Sequence, residues 1–235
     1  MIGASRDGHR LVALAPALAI TATALFALPQ QAGGYRLAKW GAFGVALAAV
    51  AVTLLVSRAP LRLPRRSLAL AVFVAAAVVL PAFSSALAPT HWPTVLTFLS
   101  GLAFYLVTVM ALGDDERARR ESFIVLTATG VLVAALVLLQ AAGLRWLTSD
   151  VYTDLEFRAP GTLGNPNWAA AFLASLVPLS LGLAATAQRR RTHHAVTVLL
   201  AIATVATLSK GGALALVAGV LVYVLLDRGV AARWR

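Results

Sequence analysis

From Leu11 to Leu226 the chain repeats one pattern: a stretch of Ala, Leu and Val, in most cases long enough to cross a bilayer, then a short connection, every second one rich in arginine. Such a chain has few folding options, because a backbone in hydrocarbon must satisfy every N–H and C=O internally, which leaves helices or a closed barrel. No stretch alternates apolar and polar residues as a barrel strand does, so the sequence predicts helices. With 60% of its residues apolar and 12% charged, the chain has too little polar surface to cover a water-soluble globule. Residues 1–235 therefore read as a single, all-α, polytopic transmembrane domain.

Breaking the sequence at charge clusters and Pro/Gly turns predicts eight spans: 11–28, 40–56, 67–83, 94–112, 122–142, 166–187, 195–208 and 213–226. Arginines fill every second connection: Arg58, Arg62, Arg65 and Arg66, then Arg117, Arg119 and Arg120, then Arg189, Arg190 and Arg191. Short loops rich in arginine face the cytoplasm. With both termini on that side, the split of the 20 basic residues strongly favours the inside, and only Arg36, Lys39, Arg145, Arg158 and Lys210 lie outside. Trp40, Trp92, Trp146 and Trp168, with Tyr35 and Tyr152, fall at the outer ends of spans, as an interfacial aromatic belt requires. Arg6 to Arg10 followed by Leu11–Leu28 also has the outline of a signal peptide, but the apolar run is long and no clean small-x-small cleavage site precedes Gly33.

The net charge of +11 would suggest nucleic acid in a soluble protein; here the basic residues sit in short loops and report topology, with membrane lipid as their neighbour and no nucleic acid expected. The absence of cysteine excludes disulfides, thiolate metal sites and a cysteine nucleophile. All nine acidic residues fall in loops, which disfavours ion-coupled transport, since that chemistry keeps a carboxylate near the midplane. Asp150, Asp154 and Glu156 are the one outer acidic group, and they read as a solvated loop rather than a glycosidase pair. His9, His91, His193 and His194 have no metal-ligand spacing, so no metal or other cofactor is expected; His91 reads as an interfacial turn residue.

Two outer-face stretches carry the chemistry. In the first, Arg158 to Asn167, Asn165 followed by Pro166 predicts a helix N-cap and first helical residue, with free N–H groups facing outward and favouring anions. Gly161 and Gly164 allow close backbone approach to a ligand, Thr162, Asn165 and Asn167 offer hydrogen bonds, and Arg158 offers a planar fork for phosphate oxygens. The bland alternative is a capped helix with an interfacial arginine. In the second, Thr207 to Gly212, Ser209, Lys210 and Gly211 open the last span. Residues 195–208 give only about 21 Å of helix at about 1.5 Å per residue, against a hydrocarbon core of roughly 30 Å, so Lys210 is expected to sit recessed. It then either snorkels to headgroups or faces a protein cavity. Both stretches are cationic, outward and at helix starts, and together they predict one anion site for an amphiphile whose tail reaches it through the bilayer.

At these stretches, Arg158 with Gly161-Thr162-Leu163-Gly164-Asn165-Pro166-Asn167-Trp168-Ala169 and then Thr207-Leu208-Ser209-Lys210-Gly211-Gly212, the chain resembles the O-antigen ligase and O-antigen polymerase superfamily. The resemblance is specific from about Arg158 to Leu226. It implies a glycosyltransferase C-type helical fold in the bacterial inner membrane, and transfer of a glycan from undecaprenyl diphosphate to the lipid A core or another acceptor on the periplasmic side. Arg158, Gly161, Thr162, Asn165, Asn167, Ser209, Lys210 and Gly211 would then bind substrate, with the two cations at the leaving diphosphate. Two departures matter: lysine stands at 210 where the family commonly has arginine, and the large periplasmic loop of family members, with its histidine base, is not in this sequence. The resemblance thus predicts the amino-terminal half of such an enzyme, inactive alone and in need of a carboxy-terminal half, with no catalytic residue assigned. The alternative from another class is a non-catalytic subunit that binds or transports polyprenyl-linked glycans.

Overall fold

A computed structural model describes residues 6–25, 44, 48, 64–84, 88–113, 115–144, 158–186 and 190–226. The described residues form seven α-helices, one 3-10 turn and no strand. In chain order these are α1 (Arg6–Leu25), α2 (Arg65–Ser84), α3 (Ala88–Leu112), α4 (Glu116–Ala141), the 3-10 turn Gly161–Leu163, α5 (Pro166–Thr186), α6 (Arg190–Ala206) and α7 (Lys210–Leu226). Each coincides with an expected span, but several start earlier, because polar and proline residues that hydropathy excludes still take helical geometry in the first turn. The expected span 40–56 lies outside the described residues, apart from Gly44 and Ala48, both helical. Two helices, Glu116–Ala141 and Pro166–Thr186, are long and apolar enough to cross a membrane.

The chain divides into two compact units. In the first, Met1–Ala19 with Val45–Arg119, α2 packs against α3 and the buried positions are small or spaced singly, such as Ala13, Ala71, Val95 and Phe104. Leu68, Leu70, Val72 and Phe73 are exposed on α2.

The second unit, Ile20–Gly44 with Arg120–Arg235, carries the larger core. Val133, Ala134 and Val137 of α4 meet Ala169, Leu173, Leu176 and Val177 of α5 and Leu200 and Ala203 of α6. Glycines set the spacing, since a side chain at Gly130 would run into Leu176 and come within 3.0 Å of a Leu200 methyl. Helices α5 and α7 run parallel with a constant register. Ser209 bonds to Asn167 and Tyr223 to the carbonyl of Leu181, each pair 42 residues apart, and the same offset sets Gly212 against Ala170. Pro178 lacks the N–H that would close its turn of α5, and its ring lies 3.6 Å from where a Gly219 side chain would begin, so α7 packs directly over this turn.

The buried polar side chains described inside this unit are all committed. Thr197 donates to Ser180 Oγ at 2.9 Å and Ser180 to the His193 carbonyl at 3.0 Å, tying α5 to α6; Thr21 and Thr129 share a bond of 2.8 Å between α1 and α4. Among the described residues no buried side-chain nitrogen or oxygen lacks a partner. Outward, by contrast, α7 presents Leu214, Val217, Leu221, Leu225 and Leu226. An outer surface this apolar around an interior with satisfied polar groups is the arrangement a helix bundle adopts in hydrocarbon.

Candidate functional site

Helices α5 and α7 begin side by side, and the sequence supplies both starts with a cap. Asn165 accepts from the Asn167 N–H at 2.8 Å, leaving Pro166 in the first helical position, where its missing N–H costs nothing. Ser209 accepts from the Gly212 N–H at 3.1 Å, the third-residue contact of an N-cap. The Ser209 hydroxyl then donates to Asn167 Oδ1 at 2.9 Å, joining the two caps.

Arg158 is held across this junction. Its Nε donates to the Thr207 carbonyl at 3.1 Å and an Nη to Asn167 Oδ1 at 3.0 Å, so Asn167 accepts from Arg158 and Ser209 together. The Thr207 hydroxyl in turn donates to the Thr204 carbonyl and accepts from the Ser209 N–H. Both partners of the half-buried guanidinium are neutral, and among the described residues it has no others; the exposed Lys210 ammonium has none.

Around these groups opens a cleft of about 500 Å³ lined by Arg158, Asn167, Ala171, Leu208, Ser209, Lys210, Gly211 and Gly212. Two cations share it with no carboxylate among the described lining residues, beside two helix N-termini whose dipoles add positive potential. Like charges held together without a counterion repel, and an anion bound between them removes that cost. Arg158 offers its remaining N–H groups in a fixed fork, Lys210 a mobile point charge, and Asn167 and Ser209 the polar floor.

Of the residues expected at one site, Arg158, Asn167, Ser209, Lys210 and Gly211 come together in this cleft, and Gly161, Thr162 and Asn165 are not in its lining. Gly161 does need glycine, with φ +59°, but the close approach is to α4: a Cβ there would stand 2.9 Å from a Val137 methyl, and its N–H donates to the buried Gln140 Oε1 at 2.8 Å. Thr162 donates to the Ala24 carbonyl at 2.6 Å. Gly164 takes φ +71° where the 3-10 turn ends. Asn165 acts as cap only. Lys210 opens α7 level with the start of α5, and the preceding helix, α6, begins at Arg190 and runs 17 residues, so the shortfall that predicted a recessed lysine is reduced to a few ångströms.

Sequence reasoning missed Ala171, Leu208 and Gly212 as lining residues. Gly212 had a signal in its neighbourhood: it must be small because a side chain would meet Ala170, whose Cα lies 3.3 Å from the Cβ position. Leu208 had none, since its φ of +55° is foreign to leucine. Asp150, Asp154, Glu156, Trp146 and Tyr152 lie outside the described residues, and Trp168 is half exposed on the first turn of α5. Compared with protein-family models, curated proteins and solved structures, the chain matches none.

Proposed function

We propose that the second unit is a membrane-embedded site for a lipid-linked diphosphate, as in O-antigen-ligase-like glycosyltransferases of the C type. In this reading the chain crosses the bacterial inner membrane eight times, both termini are cytoplasmic, and the cleft opens at the periplasmic border. The observation that carries it is the meeting of Arg158 and Lys210 in one cleft without a carboxylate partner among the described residues.

The register of the helices supports the membrane placement. Gly130 touches both Leu176 and Leu200, and roughly three turns back along α4 and α6 from that contact come Arg120 and Arg190, both exposed. The same distance in the other direction reaches Gln140 and Lys210. Helix α5 alone, with 21 residues, spans about 31 Å at about 1.5 Å per residue, close to the roughly 30 Å hydrocarbon thickness. One basic layer thus meets the cytoplasmic headgroups and the cationic cleft meets the outer ones.

Chemically, an acceptor hydroxyl oxygen bonds to the anomeric carbon of the glycan as the bond from that carbon to the diphosphate oxygen breaks. The hydroxyl proton goes to a base, and the diphosphate leaves with additional negative charge. Arg158 and Lys210 stabilise that charge. The substrate is an undecaprenyl-diphosphate-linked glycan, and the acceptor is the lipid A core or another glycan.

A second reading, a polyprenyl-glycan binder without catalysis, is favoured by one observation: no histidine or carboxylate lines the cleft, so its described lining supplies no general base. Binding and turnover measured separately decide between the two. In nanodiscs, Arg158→Ala and Lys210→Ala should each weaken undecaprenyl diphosphate binding by tenfold or more, as expected for loss of about 1.5–3 kcal/mol from a charge-assisted contact, while Arg190→Ala changes it little. Equal affinities in all three would remove the site. Binding intact with no glycan transferred to any acceptor, even when the carboxy-terminal half of such an enzyme is supplied, would leave the second reading.

A further inference from the structure

Five described positions have a positive φ, and four of them, Gly113, Gly143, Gly161 and Gly164, are glycine. Leu208, at +55°, is the exception. A leucine in this region crowds its Cβ against the following carbonyl, and chains ordinarily place Gly, Asn or Asp there. The cleft explains why the turn is needed. Leu208 lies between Thr207, whose carbonyl holds Arg158, and Ser209, whose hydroxyl holds Asn167, so reversal at this residue aims both groups at the cleft. The turn would form more easily with glycine, and the leucine side chain gains nothing from packing in return: it is 67% exposed and lines the cleft beside Lys210.

We propose that Leu208 is the specificity-determining lip of the cleft. It lies against the first hydrocarbon units of the ligand's tail, so that a phosphate carried on a lipid binds better than the same phosphate free in water. This rests on the reading that the cleft takes a lipid-linked diphosphate. Arg158 and Lys210 grip charge and cannot tell the two apart; Leu208, with Ala171 as the other apolar wall, can.

The experiment compares undecaprenyl diphosphate with inorganic pyrophosphate, each titrated against the full chain in nanodiscs, in wild type, Leu208→Gly, Leu208→Ala and Leu208→Met. Leu208→Gly relieves the backbone and should raise the melting temperature, so a failure to fold is not expected to hide the result. It should nonetheless lose about fivefold or more in affinity for undecaprenyl diphosphate, the share expected from uncovering one or two methylene groups, with pyrophosphate unchanged within twofold. Leu208→Ala, which keeps the strain and loses the side chain, should lose binding to the same extent, and Leu208→Met, which keeps the apolar bulk, should retain it. Undecaprenyl diphosphate bound as tightly by Leu208→Gly as by wild type overturns the proposal, because the leucine then faces only bulk lipid. Equal losses for both probes overturn it as well, since they show a turn that merely positions Arg158. If Arg158→Ala and Lys210→Ala change neither probe, the underlying reading fails and takes this one with it, an outcome distinguishable from the first two by the cation variants alone.

Discussion

Arg158 and Gly161 are near neighbours in the chain, but the polar groups around them are used in opposite ways. Gly161 and Thr162 belong to a closed cluster: the Gly161 N–H is taken by Gln140, which is 0% exposed, and the Thr162 hydroxyl by the Ala24 carbonyl, both buried bonds. Arg158 belongs to an open one, in which Asn167, Ser209 and Thr207 orient a guanidinium toward a cleft and Lys210 adds a cation with no partner among the described residues. In the closed cluster the Gly161 N–H and the Thr162 hydroxyl both have buried protein acceptors, so it contributes rigidity. In the open cluster the donors outnumber the acceptors among the described residues, and that surplus is what a ligand can use. The comparison makes a double dissociation: damage to the first should cost stability, and damage to the second should cost binding.

The largest effect is expected at Gly161. Gly161→Ala forces an L-residue into the left-handed region, costing about 1–2 kcal/mol, and crowds a Val137 methyl, costing about 1–3 kcal/mol more. Thermal or denaturant unfolding in detergent should show a loss of about 2–5 kcal/mol, while the protein that remains folded binds undecaprenyl diphosphate with wild-type affinity. A variant of normal stability with weakened binding would reverse the assignment and return Gly161 to the ligand site.

How much of this division was legible in the sequence follows from the range of the interactions involved. The start of α5 was readable because its signal is local: Asn165 and Pro166 cap and open the helix they adjoin. The grouping of Arg158 with Lys210 was readable because their helices start on the same side, a consequence of counting spans. The partners of Gly161 and Thr162 were not, for they lie 21 and 138 residues away, and a glycine that admits a ligand looks the same in sequence as one that admits a valine. The early start of α6 was hidden by Arg190 to His194, which hydropathy reads as loop although their backbone is helical. Leu208 carried no turn signal at all, so the residue that shapes the cleft mouth had to come from backbone geometry.

A change of intermediate size separates the clusters at their shared chemistry. Asn167→Asp puts a carboxylate where Arg158 and Ser209 both donate, at the start of a helix. Charge-assisted bonds and the helix dipole should hold or raise stability by up to about 1 kcal/mol. The same carboxylate neutralises the guanidinium and repels a diphosphate, so affinity should fall by tenfold or more. Stability and binding moving in opposite directions, read by melting and by titration on one sample, is an outcome that no damage to the closed cluster can imitate. Parallel loss of both would mean that the open cluster is a structural brace like its neighbour.

The smallest effect, and the finest test of how the open cluster works, is Lys210→Arg. Lys210 is exposed and unpartnered among the described residues, so the exchange should alter stability by less than about 0.5 kcal/mol. The two cations have different tasks in this geometry. Arg158 is fixed by two bonds and sets direction, whereas Lys210 stands at the first position of α7, free to follow the ligand. If the second cation acts as a mobile point charge, arginine should keep affinity within about threefold, because charge is retained and the gain from a bidentate fork is offset by the larger side chain. If the cleft instead clamps a diphosphate between two forks, the exchange should tighten binding by more than that, and the salt dependence should be unchanged, since the number of charges is the same. A steep loss of affinity would sink both accounts of Lys210 and leave Arg158 as the sole anion anchor in a cleft shaped around an ammonium.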